Sequence, residues 1–194
     1  MKSIAVFCGS STGFSTIYVD EARKLGQFLA TRNISLIYGG GKIGLMGVLA
    51  DEILAMKGTV IGVIPLLLEH KEVIHTSSTE MLITQTMSER KIIMSKKVDG
   101  YIVLAGGFGT LDELFEVLTL GQLDIERKPI GVLNTNGFYD AMLMQLDKMV
   151  HEGFLKQRNR DMVLVSDTVP GLFEKMERYS APKISKVTQT IASK

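Results

Sequence analysis

Short apolar runs rich in β-branched residues alternate along the chain with segments whose apolar positions recur at helical spacing. Ser3–Cys8, Ser35–Tyr38, Thr59–Ile64, Met81–Thr84, Tyr101–Leu104, Pro129–Leu133 and Met162–Val165 read as strands. Between the first two, Tyr18, Ala22, Leu25 and Leu29 form one apolar stripe, ended by the polar Thr31-Arg32-Asn33. Leu45–Lys57, Met87–Val98, Leu111–Leu123, Phe138–Glu152 and Val169–Arg178 repeat that plan as helices. Strand followed by helix, over and over, predicts an α/β fold in three layers, a mostly parallel sheet of about seven strands with helices on both faces. Residues 1–179 read as one domain, and the polar, aperiodic stretch 180–194 as a frayed tail.

Composition narrows the chemistry. The chain has 194 residues, of which 22 are Lys or Arg and 21 Asp or Glu, for a formal charge of +1. No broad field exists to draw in nucleic acid or an anionic membrane, so any anion must be gripped locally. Cys8 is the single cysteine, and His70, His75 and His151 show no metal-ligand spacing, which argues for a reducing compartment and against a metal site. The apolar run Ile4-Ala5-Val6-Phe7 is shorter than the roughly 7–15 residues of a signal-peptide core, and no run nears the roughly 20 residues of a membrane span. A soluble, cytoplasmic protein is the expectation.

In open parallel sheets the ligand crevice lies beyond the carboxyl ends of the strands. Three segments there run from a strand into small residues and then a helix: Cys8-Gly9-Ser10-Ser11, the stretch 38–47 (YGGGKIGLMG) and the stretch 105–110 (AGGFGT). Gly39, Gly41 and Gly44 satisfy a dinucleotide spacing, but the next strand ends in Val-Ile-Pro without the acid that holds a ribose hydroxyl. A P-loop is also a poor fit, because no Ser or Thr follows Lys42. Two readings of Gly39, Gly40 and Gly41 remain, amides offered to an anion or closely approaching ribose, or a tight turn needing φ > 0.

The third segment is more specific. Gly106, Gly107 and Gly109 precede Thr110, which is placed to cap the helix while its hydroxyl and the neighbouring amides face a phosphate. Asp112 and Glu113 then fall in the first turn, where carboxylates gain from the helix dipole, and capping is the preferred account of Asp112. Glu113 and Glu116 share a face that can line the crevice, with Leu114, Val117 and Leu118 toward the core. Upstream, Arg90 and Lys91 sit near the start of a helix, where cations oppose the dipole. Either one of them meets an anion in the crevice while the other lies along its edge, or both form a solvated surface pair. Met87 and Met94 read as fillers of core gaps.

Taken together, "GGGKIGLMG", "MSERK" and "GGFGTLDE" resemble the LOG family of cytokinin riboside 5′-monophosphate phosphoribohydrolases. The family hallmark P-G-G-x-G-T-x-x-E stands here as Ala105-Gly106-Gly107-Phe108-Gly109-Thr110-Leu111-Asp112-Glu113. The resemblance implies a Rossmann-like homodimer that hydrolyses the N-glycosidic bond of a purine nucleoside 5′-monophosphate to free base and ribose 5-phosphate, with no cofactor. It places substrate contacts on Glu72, Arg90 and Lys91, on Gly107, Phe108, Gly109, Thr110, Leu111, Asp112 and Glu113, and on Thr119, with Arg90 and Glu113 as the catalytic pair. Ala105 replaces the hallmark Pro without removing a functional group, and Leu120-Gly121 stands where many relatives carry Trp-Ala.

Cleavage of that bond builds positive charge on the ribose, as in glycoside hydrolysis. Glu113 is then expected beneath the sugar, stabilising the cation and orienting or deprotonating water, while Arg90 holds phosphate or assists the leaving base. A non-catalytic nucleotide-binding module and a phosphoribosyl transferase are the alternatives. A carboxylate beside a phosphate gains a mere binder nothing.

Overall fold

The structure is a computed structural model that describes residues 1–69 and 74–182; Glu72, His70 and most of the expected tail lie outside the described residues. The strands are β1 (Ser3–Phe7), β2 (Ser35–Tyr38), β3 (Val60–Pro65), β4 (Glu80–Thr84), β5 (Gly100–Val103), β6 (Ile130–Leu133) and β7 (Val163–Ser166). They form one sheet in the order β4-β3-β2-β1-β5-β6-β7, with every neighbouring pair parallel. The helices are α1 (Thr16–Thr31), α2 (Gly44–Ala55), α3 (Leu66–Glu69), α4 (Met87–Lys96), α5 (Phe108–Gln122), α6 (Asp140–His151), α7 (Gln157–Arg160) and α8 (Val169–Glu177).

Successive residues of a strand point to opposite faces, and here both faces are covered. Ile4 and Val6 pack with Ala22, Leu25, Leu49, Leu172 and Phe173 on one side. Ala5 and Phe7 pack with Met94, Leu114, Val117 and Leu146 on the other. That is why β1 reads as an unbroken apolar run. The edge strand β4 is half open to solvent and accordingly carries Glu80. The result is a three-layer, Rossmann-like α/β fold. Among the described residues no helix is long and apolar enough to cross a membrane.

The connections place the crevice. From β1 the chain steps outward to β4, then returns to lay β5 against the other side of β1. The loops after β1 and β5 therefore diverge to opposite faces and leave a cleft between them. Their bases are tied by Gly9 N–H donating to Ala105 O at 3.0 Å.

Candidate active site

The helix after β5 begins earlier than its sequence suggests. Gly107 is the extended N-cap residue, with no side-chain cap, and its carbonyl accepts from Leu111 N–H at 3.1 Å. Thr110 is thus the third helical residue and does not cap; it is buried beneath the turn, where a Cβ on Gly106 would stand 2.1 Å from its Oγ1. Asp112 and Glu113 fall beyond the first turn, which contains no acid. Asp112 is no capping residue; it accepts from Lys91 Nζ at 2.8 Å. The first-turn amides of α5 are left without a side-chain acceptor, at the positive end of a 15-residue helix.

Among the described residues nothing fills the space beside Gly107 or Gly109 within 4 Å, and neither has a positive φ. Packing and strain explain neither glycine. Gly109→Ala is therefore expected to leave Tm unchanged or slightly raised, since Ala is the better helix former. The added methyl fills space over the open amides, so nucleotide binding should weaken; calorimetric titration with AMP beside a melting curve checks both.

Arg90 comes from a helix whose start is neutralised by another residue. Thr86 Oγ1 accepts from Glu89 N–H at 3.1 Å, and Glu89 reaches back to Gln85 N–H at 2.7 Å, so Glu89 meets the dipole's demand for negative charge. Arg90 is free to turn inward. Its Nε donates to Val63 O at 3.0 Å, its Nη1 lies 2.9 Å from Glu113 Oε1, and the two side chains are only 11% and 12% exposed. The surface-pair reading fails for Arg90. Lys91, rotated about 100° around the helix, lies along the edge and bridges Asp112 and Glu116 at 2.8 and 3.0 Å.

Arg90 and Glu113 attract without a well-aligned hydrogen bond, and among the described residues Glu113 Oε1 has no hydrogen-bond partner. Burial raises the Glu113 pKa above its ordinary value; Arg90, then Lys91, oppose the shift without cancelling it. The carboxyl is thus held ready to take a proton.

Two cavities meet at Glu113. One, of about 300 Å³, is the crevice itself, bounded by Cys8-Gly9-Ser10, Met46, Met87, Arg90 and Gly107 to Thr110. The other, of about 250 Å³, is apolar and lies between α4 and α5, lined by Ile92, Met94, Tyr101, Val117, Leu120 and Ile125. Its polar back wall is satisfied, with Tyr101 OH and Ser95 Oγ both donating to Glu126 Oε2 at 2.7 Å. Glu116 lines this second cavity and its rim, not the crevice. Met87 is not a core filler, because it is exposed on the crevice wall, whereas Met94 is buried. Cys8, Gly9 and Ser10 line the crevice, as expected for the segment after β1, without any one of them being singled out by the sequence, and nothing local in the sequence marks the apolar cavity.

The remaining candidates scatter. Phe108 is almost fully exposed on the crevice rim, and the Leu111 side chain packs into the core. Gly39, Gly40 and Gly41 are buried and do not line the crevice. A Cβ on Gly39 would stand 2.7 Å from Arg90 Nη2, Gly40 has φ +82°, and Gly41 bridges to Ile74. At the start of α2 the Leu45 N–H is already engaged, donating to Gly9 O at 3.0 Å. Thr119 is exposed on the outside of α5, its Oγ1 bonded to Phe115 O. Among the described residues no group of three or more His, Cys, Asp or Glu could hold a metal ion.

A family model described as "Possible lysine decarboxylase" matches residues 46–176, from α2 through most of α8. Cytokinin riboside 5′-monophosphate phosphoribohydrolase LOG2 of Arabidopsis thaliana is 42% identical over 178 residues, 92% of this chain and 84% of its own. LOG1 of the same plant is 43% identical over 186 residues, 96% of this chain and 87% of its own. The chain belongs to the LOG family. This LOG-family fold also matches the X-ray structure of TM1055 with a TM-score of 0.71 at 21% identity, covering 92% of this chain and 100% of that one. It matches a molybdenum cofactor binding protein from Rippkaea orientalis with a TM-score of 0.67 at 19% identity, covering 90% and 94%. At such identities the likeness is one of fold, and cofactor binding stays a property of that neighbour.

Proposed function

We propose that this LOG-family chain hydrolyses the N-glycosidic bond of a purine nucleoside 5′-monophosphate, releasing free base and ribose 5-phosphate. The observation that carries the reading is Glu113, a carboxylate buried against Arg90 where a crevice of open amides meets an apolar cavity. Phosphate rests on the first-turn amides of α5, between Gly107 and Thr110, at the positive end of the dipole. The ribose then lies over Glu113 and the base toward the apolar cavity.

As the C–N bond breaks, its electron pair leaves with the base, which takes up a proton, and the positive charge on the sugar faces the carboxylate. Water adds to the anomeric carbon and gives its proton to Glu113, which passes it to solvent in exchange for the one the departing base has taken from there. Arg90 holds Glu113 in place and stands close enough to meet an anionic group of the substrate. Lys91 and Asp112 brace the rim, and Phe108 covers the mouth. No cofactor enters this chemistry.

The apolar cavity favours a base with an apolar N6 substituent, of the cytokinin type, over plain adenine. Exposed Ile92, Phe115, Leu123 and Ile125 on and beside α4 and α5 suit a homodimer. Thr119 does not reach the crevice of its own chain, so the same reading gives it to the crevice of a second copy. A cytoplasmic setting goes with a single, buried cysteine.

The test is to incubate the protein with AMP and with an N6-alkylated AMP and to assay free base and ribose 5-phosphate. A sizing run on the same preparation is expected to show twice the 21.4 kDa chain mass. Nucleotide that binds yet stays whole would make the chain a sensor; product formed only with an added acceptor would make it a transferase.

A further inference from the structure

One buried titratable side chain stands outside the crevice with no role in that chemistry. His75 is 1% exposed, and its Nε2 lies 3.0 Å from Oδ1 of Asp51, a residue of α2 whose side chain is 63% exposed. A carboxylate only accepts, so Nε2 carries a hydrogen and its partner across the ring is Nδ1. That Nδ1 is buried without a hydrogen-bond partner among the described residues. A buried nitrogen left unpaired is a cost, and it asks what the residue holds in return.

The backbone answers. His75 N–H donates to Gly40 O at 2.9 Å, Ile74 bridges to Gly41, and His75 O accepts from Ser78 N–H at 3.0 Å. Together they clamp a turn whose Gly40 has φ +82°. Gly39, the next residue, is the wall behind the Arg90 guanidinium, so close that an added Cβ would stand 2.7 Å from Nη2. The same guanidinium is fixed on its other sides by Val63 O and by Glu113.

We infer that His75 and Asp51 form a positioning pair for Arg90: by pinning Gly40 and Gly41 they set the place of the Gly39 wall, and through it the distance from Arg90 Nη1 to Glu113. The inference rests on the reading of Arg90 and Glu113 as the catalytic pair. Asp51→Ala removes an exposed carboxylate and no packing, so the variant folds with nearly unchanged Tm, while kcat/KM for base release falls about tenfold through misplacement of Arg90. His75→Ala shows at least that loss. His75→Gln, whose amide nitrogen takes the place of Nε2, restores most of it.

In an Arg90→Lys background neither Ala substitution lowers activity further, because coupled residues are non-additive. An equal loss in both backgrounds, or unchanged kcat/KM in both Ala variants, overturns the inference. A second readout needs no turnover. Bonded to Val63 O, the Arg90 Nε–H exchanges slowly with solvent in the wild type and about tenfold faster in Asp51→Ala, followed by NMR of 15N-labelled protein. If the wild type cleaves no nucleotide, the catalytic reading falls alone, and unchanged Nε–H exchange sinks the positioning pair.

Discussion

Glu113→Gln is expected to slow base release from a nucleoside monophosphate by about 10²–10⁴-fold while nucleotide binding persists. Gln keeps the shape that packs against Arg90 but can neither take a proton from water nor offset charge on the sugar. The amides of α5 are untouched, so calorimetric affinity for AMP should stay near the wild-type value. Near-normal kinetics in this variant would remove Glu113 from the mechanism.

The same variant carries a pH signature. Burial holds the Glu113 pKa above its ordinary 4.5 against the pull of Arg90 and Lys91. The working form is the carboxylate, so kcat/KM of the wild type should decline, as pH falls, through a value above 4.5. For stability the sign runs the other way. The folded state binds this proton more tightly than the unfolded chain, so the contribution is complete below the unfolded value and is lost as pH rises through the folded one. Gln does not titrate. The Tm of Glu113→Gln relative to wild type is therefore expected to shift in the variant's favour as pH rises above about 4.5. A difference that stays flat in scanning calorimetry counts against the raised pKa.

What was legible in the chain follows from where each signal lives. Buried on both faces, β1, β2 and β5 advertise themselves as unbroken apolar runs, and α1 shows its stripe at Ala22, Leu25 and Leu29. The helices α3 and α7 are too short to show a period. The start of α5 is hidden in Gly-Phe-Gly, residues of low helix propensity whose placement is set by the open cap at Gly107. The inward turn of Arg90 depends on Val63 O, 27 residues away, and no local pattern separates it from a solvated cation. The three glycines after β2 look like an anion cradle, yet Gly9 O occupies the amide of Leu45 and the turn serves Arg90 instead. The apolar cavity is assembled from α4, β5, α5 and the residues after it, so only the fold brings its walls together.

Arg90→Ala is expected to damage both fold and function, and Arg90→Lys mainly function. Truncation to Ala leaves Glu113 buried with Lys91 as its remaining counter-charge, a loss on the order of 3–5 kcal/mol for a broken buried pair. The carboxyl limits that loss by taking up a proton, which is itself the failure of the site, since a neutral Glu113 neither stabilises a cation nor accepts a proton. Activity at neutral pH should fall by at least about 10²-fold, and the acid limb of the rate profile should move to higher pH. Lys keeps a positive charge near Glu113, so most of the stability returns. Its single ammonium lacks the planar fork that reaches Val63 O and Glu113 together, so about tenfold or more of the activity stays lost. Denaturant titration beside kcat/KM measured across pH separates the two effects. Combining Arg90→Ala with Glu113→Gln should cost less stability than the sum of the single changes, because neither charge is then left alone. Additive losses, or an Arg90→Ala enzyme that is merely less stable, would reduce Arg90 to a buttress of the fold.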